Sequence, residues 1–502
     1  MKLRELLRDV GTVDADVEIT SVTADSRLAR AGSLFVAIPG LQQDGSKFIP
    51  QAIEKGASAI VSGAPPFLAA TAAPKNAAEA GGAPHIFVDD PRAALATIAA
   101  NFYGRPAGKL SIVGVTGTSG KTTATKMIES IFDATGQPVG LIGTIEYRAG
   151  EERLVADRTT PDAVLLHDWF ARMVKAGVRN AVMEVSSHAL SLKRTHGIRF
   201  AAAIFTNLSR DHFDFHKDFD DYFAAKKMLF DQIDRSRTTA VVNADDEYGR
   251  RLANELGRTA MTFGREGDIR PARGFEVSVE GLRGVVETPA GSIRLQSTLL
   301  GQPNLMNWLA AIGGAIVAGI PASTIEEGIR SLATVRGRFE RIAADGGPTV
   351  IVDYAHKPDA MEKLLHAVRD LSGRRRIVVL FGCGGDRDKG KRPQMGEIAG
   401  RLADFTVLTS DNPRGEKPEA ILDEIEKGMT GVDGNKYRRL ADRREAIAEA
   451  IAAAAEDDVI VIAGKGHETY QVVGDQIIHF DDREEAEIAL KKRAENLMPK
   501  SV

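Results

Sequence analysis

The sequence contains a single cysteine, Cys383, in 502 residues. One thiol cannot close an intramolecular disulfide or build a cysteine metal site, so the chain fits a reducing compartment, with the cytoplasm as default. An excess of charge of one sign is also missing. Against 69 acidic side chains stand 65 basic ones, a net charge of −4, which gives no general electrostatic grip on nucleic acid or anionic membrane. Anionic small molecules would need local basic sites. The N-terminus, MKLRELLRDVGTVDADVEI, is charged throughout and lacks the apolar stretch and cleavage site of an export signal. The longest apolar passage, residues 310–320, is broken by glycines and too short for a bilayer core of about 30 Å. No fixed-period repeat is present. What is present is 43% hydrophobic and 27% charged residues, a globular composition, at a length that predicts about three domains.

Residues 1–106 hold short β-like runs at 33–38 and 59–61, a polar helix and a Pro/Ala/Gly-rich stretch at 63–84, which predicts a small α/β domain with one loose loop. Residues 107–335 open with an apolar strand at 110–115 and a glycine-rich turn. Residues 121–135 then place Met127, Ile128, Ile131 and Phe132 at helical spacing. Strand candidates at 180–185, 202–205 and 239–242 alternate with helices, the pattern of a mostly parallel sheet. Residues 336–502 repeat the alternation, with strands at 349–352, 376–381, 405–408 and 459–462 and an alanine-rich helix at 444–455. This predicts a Rossmann-like α/β unit.

The most informative segment is Gly114-Val-Thr-Gly-Thr-Ser-Gly-Lys-Thr-Thr123. Between a strand and a helix, its backbone N–H groups and the helix N-terminus can cradle phosphates. Gly114, Thr116, Gly117, Thr118, Ser119, Gly120, Lys121, Thr122 and Thr123 are therefore candidate ATP contacts, with Lys121 neutralising phosphate and the Thr122 hydroxyl facing Mg²⁺. The strict G-x-x-x-x-G-K-[ST] spacing is not met, because Val115 occupies the first glycine position. A second glycine-rich segment, GCGGDR from Gly382, lacks the third glycine of a dinucleotide fingerprint, which disfavours an NAD site.

TGTSGKTT resembles the ATP loop of the Mur ligases, ATP-dependent enzymes that join amino acids to a peptidoglycan precursor or to folates. DSRLARAGSLFVAIPG from Asp25, MEVSSHAL from Met183, FTNLSRDHFDFH from Phe205, VRGRFE from Val335, VDYAHKPDAM from Val352 and GCGGDRDKGKRP from Gly382 resemble the same family along most of the chain. The resemblance implies three α/β domains: a small N-terminal UDP-binding one, a central P-loop ATPase-like one and a C-terminal Rossmann-like one for the incoming amino acid. DNPRGE from Asp411 resembles the members that add meso-2,6-diaminopimelate to UDP-N-acetylmuramoyl-L-alanyl-D-glutamate in cytoplasmic peptidoglycan precursor synthesis. A soluble monomer is expected.

By that resemblance Lys121, Lys226, His212 and Glu184 are catalytic. Mg²⁺ falls to Thr122, Glu184, His212 and Lys226 as a carbamate, while Lys227 reads as an exposed helix lysine and Asp211 as structural. His212 alone would read as a packing or surface histidine; its place in NLSRDH carries the assignment. Asn304, Arg338 and Asp353 are implied near ATP, with His356 and Lys357 in the same cleft, although Asn304 and Asn307 read equally as helix caps by spacing alone. Ser26 and Gln42 are implied UDP contacts, and either reads also as a turn residue. Thr159, Thr160, Ser186 and Arg194 are implied at the muramoyl dipeptide, where Leu192 departs from a usual glutamine. Arg387, Asp411, Asn412, Pro413, Arg414, Gly464 and Glu468 are implied at diaminopimelate, whose second carboxylate asks for a fixed cation that L-lysine does not need. The rivals are a lysine-adding ligase, a folylpolyglutamate synthetase and a nucleotide-binding regulatory ATPase.

Overall fold

The computed structural model describes every residue except 14, 16, 41–42, 64–77, 81–82, 343–346 and 498–502. The chain divides into two compact units, Met1–Arg270 with Leu309–Gly328, and Pro271–Trp308 with Ile329–Val502.

In the first unit, short apolar strands Ser21–Thr23, Ser33–Val36, Ala59–Gly63 and Ala83–Val88 line up in parallel, and Ala78–Ala80 pairs antiparallel to the last. Ala83 and Pro84, placed by sequence in the loose stretch, thus belong to a strand, because pairing with Ala78–Ala80 overrides their low β-propensity. The larger sheet has Ser111–Thr116 at its centre, parallel to Asn180–Glu184 on one side and Ala202–Phe205 on the other. Val139–Ile142, Ala240–Asn243 and Ala260–Phe263 extend it in parallel, and Glu146–Ala149 and Glu152–Val155 close one edge antiparallel. A strand covered on both faces reads as a continuous apolar run rather than an alternation, and Ala202–Phe205 and Ala240–Asn243 are buried throughout. Helix Lys121–Asp133 buries Met127, Ile128, Ile131 and Phe132, the stripe its spacing predicts.

The second unit contains an antiparallel meander, Glu276–Ser278, Gly281–Thr288 and Gly291–Ser297. Sequence reading passed over it, although Ile293, Leu295 and Ser297 alternate inward. The main sheet runs in the order Glu340–Ile342, Thr349–Asp353, Val459–Ala463, Ile377–Phe381, Phe405–Leu408, Tyr437–Arg439, with only the first strand antiparallel. In such sheets ligand-binding loops lie at the carboxyl ends of the strands. The apolar passage 310–320 lies mostly within helix Gly301–Val317, where Leu309 to Ile312 are fully buried. Among the described residues no helix is long and apolar enough to cross a membrane.

Candidate active site

The phosphate loop leaves the central strand at Thr116 and enters the helix at Lys121, with Gly120 left-handed at φ 85°. Gly117, at φ 146°, has no room for a side chain, since a Cβ there would lie 1.9 Å from Thr206 Oγ1. The loop is braced by the segment after strand Ala202–Phe205. Asn207 O accepts from Thr118 N at 2.9 Å, Asn207 Oδ1 accepts from Ser119 N at 3.0 Å, and Thr206 Oγ1 donates to Ser119 O at 2.6 Å. Thr118 and Ser119 therefore spend their amides on shaping the loop. Lys121 Nζ folds back onto the carbonyls of Gly117 and Thr118 at 3.0 and 2.9 Å. Thr123 is buried in the first turn, and Thr116 Oγ1 is buried with no hydrogen-bond partner among the described residues. Gly114 is inside the strand, where a Cβ would meet the Phe200 ring at 2.8 Å. That packing accounts for the glycine without a phosphate. Gly117→Ala should force the loop apart at a cost of about 1–3 kcal/mol and weaken ATP binding about tenfold or more, measured by titration calorimetry with the fold checked by circular dichroism.

Glu184 ends the neighbouring strand, 1% exposed, and gathers the threonines. Its carboxylate accepts from Thr122 Oγ1 at 3.0 Å, Thr144 N at 2.7 Å and Thr144 Oγ1 at 3.0 Å, and Thr144 and Thr159 hydroxyls meet at 3.0 Å. Thr144 carried no motif and was missed by sequence. Thr160 Oγ1 donates to Glu184 O at 2.8 Å and accepts from Ser186 N at 3.1 Å, and Arg194 Nη1 donates to Thr160 O at 2.7 Å. The structure thus brings Thr122, Glu184, Thr159, Thr160, Ser186 and Arg194 together. Ser186 first serves as a helix cap, accepting from Ala189 N at 3.1 Å. Leu192, half-buried, is the C-cap of the same short helix.

Lys226, 1% exposed on helix Phe219–Lys227, donates to Gly117 O at 2.7 Å and stands 4.4 Å from the Tyr222 ring centre. Burial, reinforced by Lys121, pushes its amine well below the ordinary lysine range. Lys227 by contrast pairs with Glu255 at the surface. His212 has φ 55° and pairs with Asp211 at 3.3 Å, while its ring lies 6.3 Å from Tyr222. Tyr222, whose hydroxyl accepts from Thr118 Oγ1 at 3.2 Å, links His212, Lys226 and the loop, and was not singled out by sequence. Among the described residues no three His, Cys, Asp or Glu side chains gather into a metal cage. Mg²⁺ needs none, since it is commonly held by one or two carboxylates, waters and phosphate oxygens. The hard oxygens of Glu184 and Thr122, 3.0 Å apart beside the loop, fit it.

In the 3₁₀ turn Ser26–Leu28 that follows strand Ser21–Thr23, Ser26 is buried and donates to Gln51 Oε1 at 2.6 Å, so its hydroxyl already has a structural partner. Gln42 lies outside the described residues.

In the second unit Asn304 donates to Leu300 O at 2.9 Å and accepts from Asn307 Nδ2 at 3.4 Å, bonds local to its helix start. Asp353 accepts backbone N–H bonds from Phe339 at 2.7 Å and Ala355 at 2.8 Å, and burial raises the pKa of its carboxyl. Arg338 lies 4.8 Å over the Tyr354 ring. His356, beside Tyr354, is pushed down to about 4 by burial, and Lys357 occupies the N-cap position of helix Pro358–Ser372.

Three loops converge at adjacent strand ends: GCGGDR after Ile377–Phe381, DNPR after Phe405–Leu408 and GKGHE after Val459–Ala463. A Cβ on Gly385 would lie 1.8 Å from Pro413 O, a mark of how closely the first two pack. Arg414, left-handed at φ 51°, donates to Gly385 O at 2.9 Å and is pinned through its backbone to Val472 and Gly474 of a hairpin. Asn412 donates to Glu468 Oε2 at 3.0 Å, and Gly464, at φ 116°, donates its N–H to Asp353 O at 3.0 Å. Asp411 is buried, whereas Arg387 is exposed and donates to Asp386 O at 3.1 Å. Lys465, fully buried among these groups, was missed because GKGHE drew attention to its glycine and glutamate.

A parallel sheet with a strand–loop–helix phosphate cradle, and a second sheet presenting arginine, asparagine and carboxylates at its strand ends, define a nucleotide-using α/β enzyme. The model of the Mur ligase family catalytic domain matches residues 18–103, that of the Mur ligase middle domain residues 115–315, and that of the Mur ligase glutamate ligase domain residues 337–466. The chain belongs to the Mur ligase family. It is 46% identical to the UDP-N-acetylmuramoyl-L-alanyl-D-glutamate–2,6-diaminopimelate ligase of Gloeobacter violaceus, over 98% of this chain and 99% of that one. A solved structure of a ligase of that name superposes with a TM-score of 0.69 at 30% identity, covering 98% and 99% of the two chains. A folylpolyglutamate synthase of Mycobacterium tuberculosis, 19% identical over 74% of this chain and 91% of its own, shares the fold at a TM-score of 0.58.

Proposed function

We propose that this protein is an ATP-dependent ligase that joins meso-2,6-diaminopimelate to the D-glutamate carboxylate of UDP-N-acetylmuramoyl-L-alanyl-D-glutamate in the cytoplasm, with domains at 1–106, 107–335 and 336–502 for the UDP-sugar, ATP and the amino acid. The observation that carries it is the convergence of Arg414, Asn412 and Glu468 at neighbouring strand ends. A guanidinium and an amide beside a carboxylate suit an amino acid with an extra carboxylate and an ammonium. The names of relatives at 40–46% identity agree. Cytoplasmic placement is supported by Cys383 being a single, free cysteine, which leaves no intramolecular disulfide to form.

In this reading a carboxylate oxygen of the D-glutamate attacks the γ-phosphorus and ADP leaves. The amine of diaminopimelate then attacks the acyl carbon, phosphate leaves and a proton is lost. The chain supplies charge and alignment rather than a nucleophile. Lys121 turns from the Gly117 and Thr118 carbonyls to the phosphates, and the first-turn N–H groups of its helix complete the cradle. Glu184 and Thr122, with His212 and Lys226 as a carbamate, would hold Mg²⁺, which would neutralise phosphate charge when bound. Thr159, Thr160, Ser186 and Arg194 orient the dipeptide. Asn304, Arg338 and Asp353 take the remaining ATP contacts.

The test is phosphate release from ATP with the UDP-sugar dipeptide and either diaminopimelate, L-lysine or neither. Release that needs the UDP-sugar and prefers diaminopimelate is expected. A preference for lysine would overturn the specificity, and release indifferent to both substrates would leave a regulatory ATPase. Arg414→Ala should raise KM for diaminopimelate about 10- to 100-fold by unpairing a carboxylate while KM for ATP holds. Equal loss of both would remove Arg414 from the amino-acid site.

A further inference from the structure

Lys465 has no place in the site as read so far, yet it is 0% exposed beneath it. Its ammonium donates to Asn412 Oδ1 at 3.2 Å and Glu468 Oε2 at 3.2 Å, and stands 3.6 Å from Asp411 Oδ1. That Asp411 oxygen is buried and has no hydrogen-bond partner among the described residues, so the Lys465 ammonium beside it offsets its charge, with Arg443 acting on it as well. An ammonium donates three bonds and accepts none, and here it faces one amide oxygen and two carboxylates. Val472 N also donates to Asn412 Oδ1, at 2.9 Å. With donors on two sides the amide can turn only its oxygen toward Lys465, which leaves its Nδ2 on the side of Glu468 and the loop ends.

Resting on the ligase reading above, we infer that Lys465 is the positioning residue that makes this site accept a carboxylate, by pinning the Asn412 amide donor-outward and cancelling one of the two carboxylate charges beside it. Without the lysine, Asp411 and Glu468 present two negative charges to a ligand whose far end carries a carboxylate, in a setting where burial strengthens repulsion. A ligand ending in a lone ammonium suffers no such penalty. The lysine therefore acts on the discrimination between diaminopimelate and L-lysine, through Asn412 and Glu468 rather than by contact.

The experiment measures, in the full-length chain, KM for diaminopimelate, KM for ATP and the inhibition constant of L-lysine against diaminopimelate, in wild type, Lys465→Met and Lys465→Arg. The inference expects Lys465→Met to raise KM for diaminopimelate at least tenfold, to leave KM for ATP within twofold and to leave lysine inhibition unchanged or tighter. Lys465→Arg, which keeps the charge, should recover most of the diaminopimelate affinity. A merely structural role would weaken both amino acids alike, and that result, or an unchanged KM, overturns the inference. If Lys465→Met does not fold, Lys465→Gln takes its place: the same selective loss of diaminopimelate supports the inference and parallel loss of lysine binding overturns it. A wild type that releases no phosphate in response to diaminopimelate overturns the ligase reading and this assignment together, whereas a responsive wild type with indifferent variants overturns this assignment alone.

Discussion

Lys226→Ala is expected to lower turnover by at least about 10²-fold, the scale on which a preorganised group at developing charge acts, and added bicarbonate should not restore it. The Lys226 amine is buried against Gly117 O at 2.7 Å, and burial lowers its pKa, which favours the neutral form. The neutral form of the amine attacks CO₂, forming a carbamate and releasing a proton, so an uncharged group becomes an anion beside the phosphate loop. The sign follows from the direction of the shift: acidification protonates the amine and reverses the reaction, so activity should fall on the acid side and in CO₂-depleted buffer. Lys226→Arg places a cation there that cannot form the carbamate, and should lose as much as alanine. Carbon-13 NMR after labelling with bicarbonate gives an independent reading, a carbamate resonance present in wild type and absent from both variants. Turnover unchanged in Lys226→Ala would remove this residue from the mechanism.

Arg443→Met should destabilise the second unit by about 3–5 kcal/mol, the cost of stranding one partner of a buried ion pair. Arg443 and Asp482 are both 0% exposed and joined by two 2.7 Å bonds, Nε to Oδ1 and Nη2 to Oδ2. The same guanidinium donates to Ser410 O at 3.3 Å and Ala463 O at 3.0 Å, the residues just before Asp411 and Gly464. Losing it therefore loosens two site loops as well as unpairing Asp482. A fall of roughly 10 °C in the first thermal transition is expected. Pairing the change with Asp482→Leu should recover much of that loss, since a buried pair can be replaced by apolar groups at little net cost. A single variant that melts with wild type would show the pair to be dispensable.

Sequence and structure agree best where one element carries its own signal. The Met127, Ile128, Ile131 and Phe132 stripe specified a helix, and the glycines around Thr118 specified a turn that only a strand-to-helix junction accommodates. The meander of residues 276–297 was passed over because its glycine-bounded alternation is short and competes with stronger signals nearby.

Local chemistry and periodicity, then, determined from sequence alone the α/β alternation and the phosphate loop, while the residues of an acyl-phosphate ligase were implied by the resemblance to the Mur ligases. The packing of loops distant in sequence belongs to the tertiary structure. Val459–Ala463 inserts between Thr349–Asp353 and Ile377–Phe381, although about eighty residues or more separate it from either, and only that insertion brings Lys465 under Asn412. Thr144 reaches Glu184 and Tyr222 reaches Lys226 for the same reason. A threonine, a tyrosine or a lysine has no distinctive spacing of its own, and its role comes from the neighbours that a parallel sheet sets beside it.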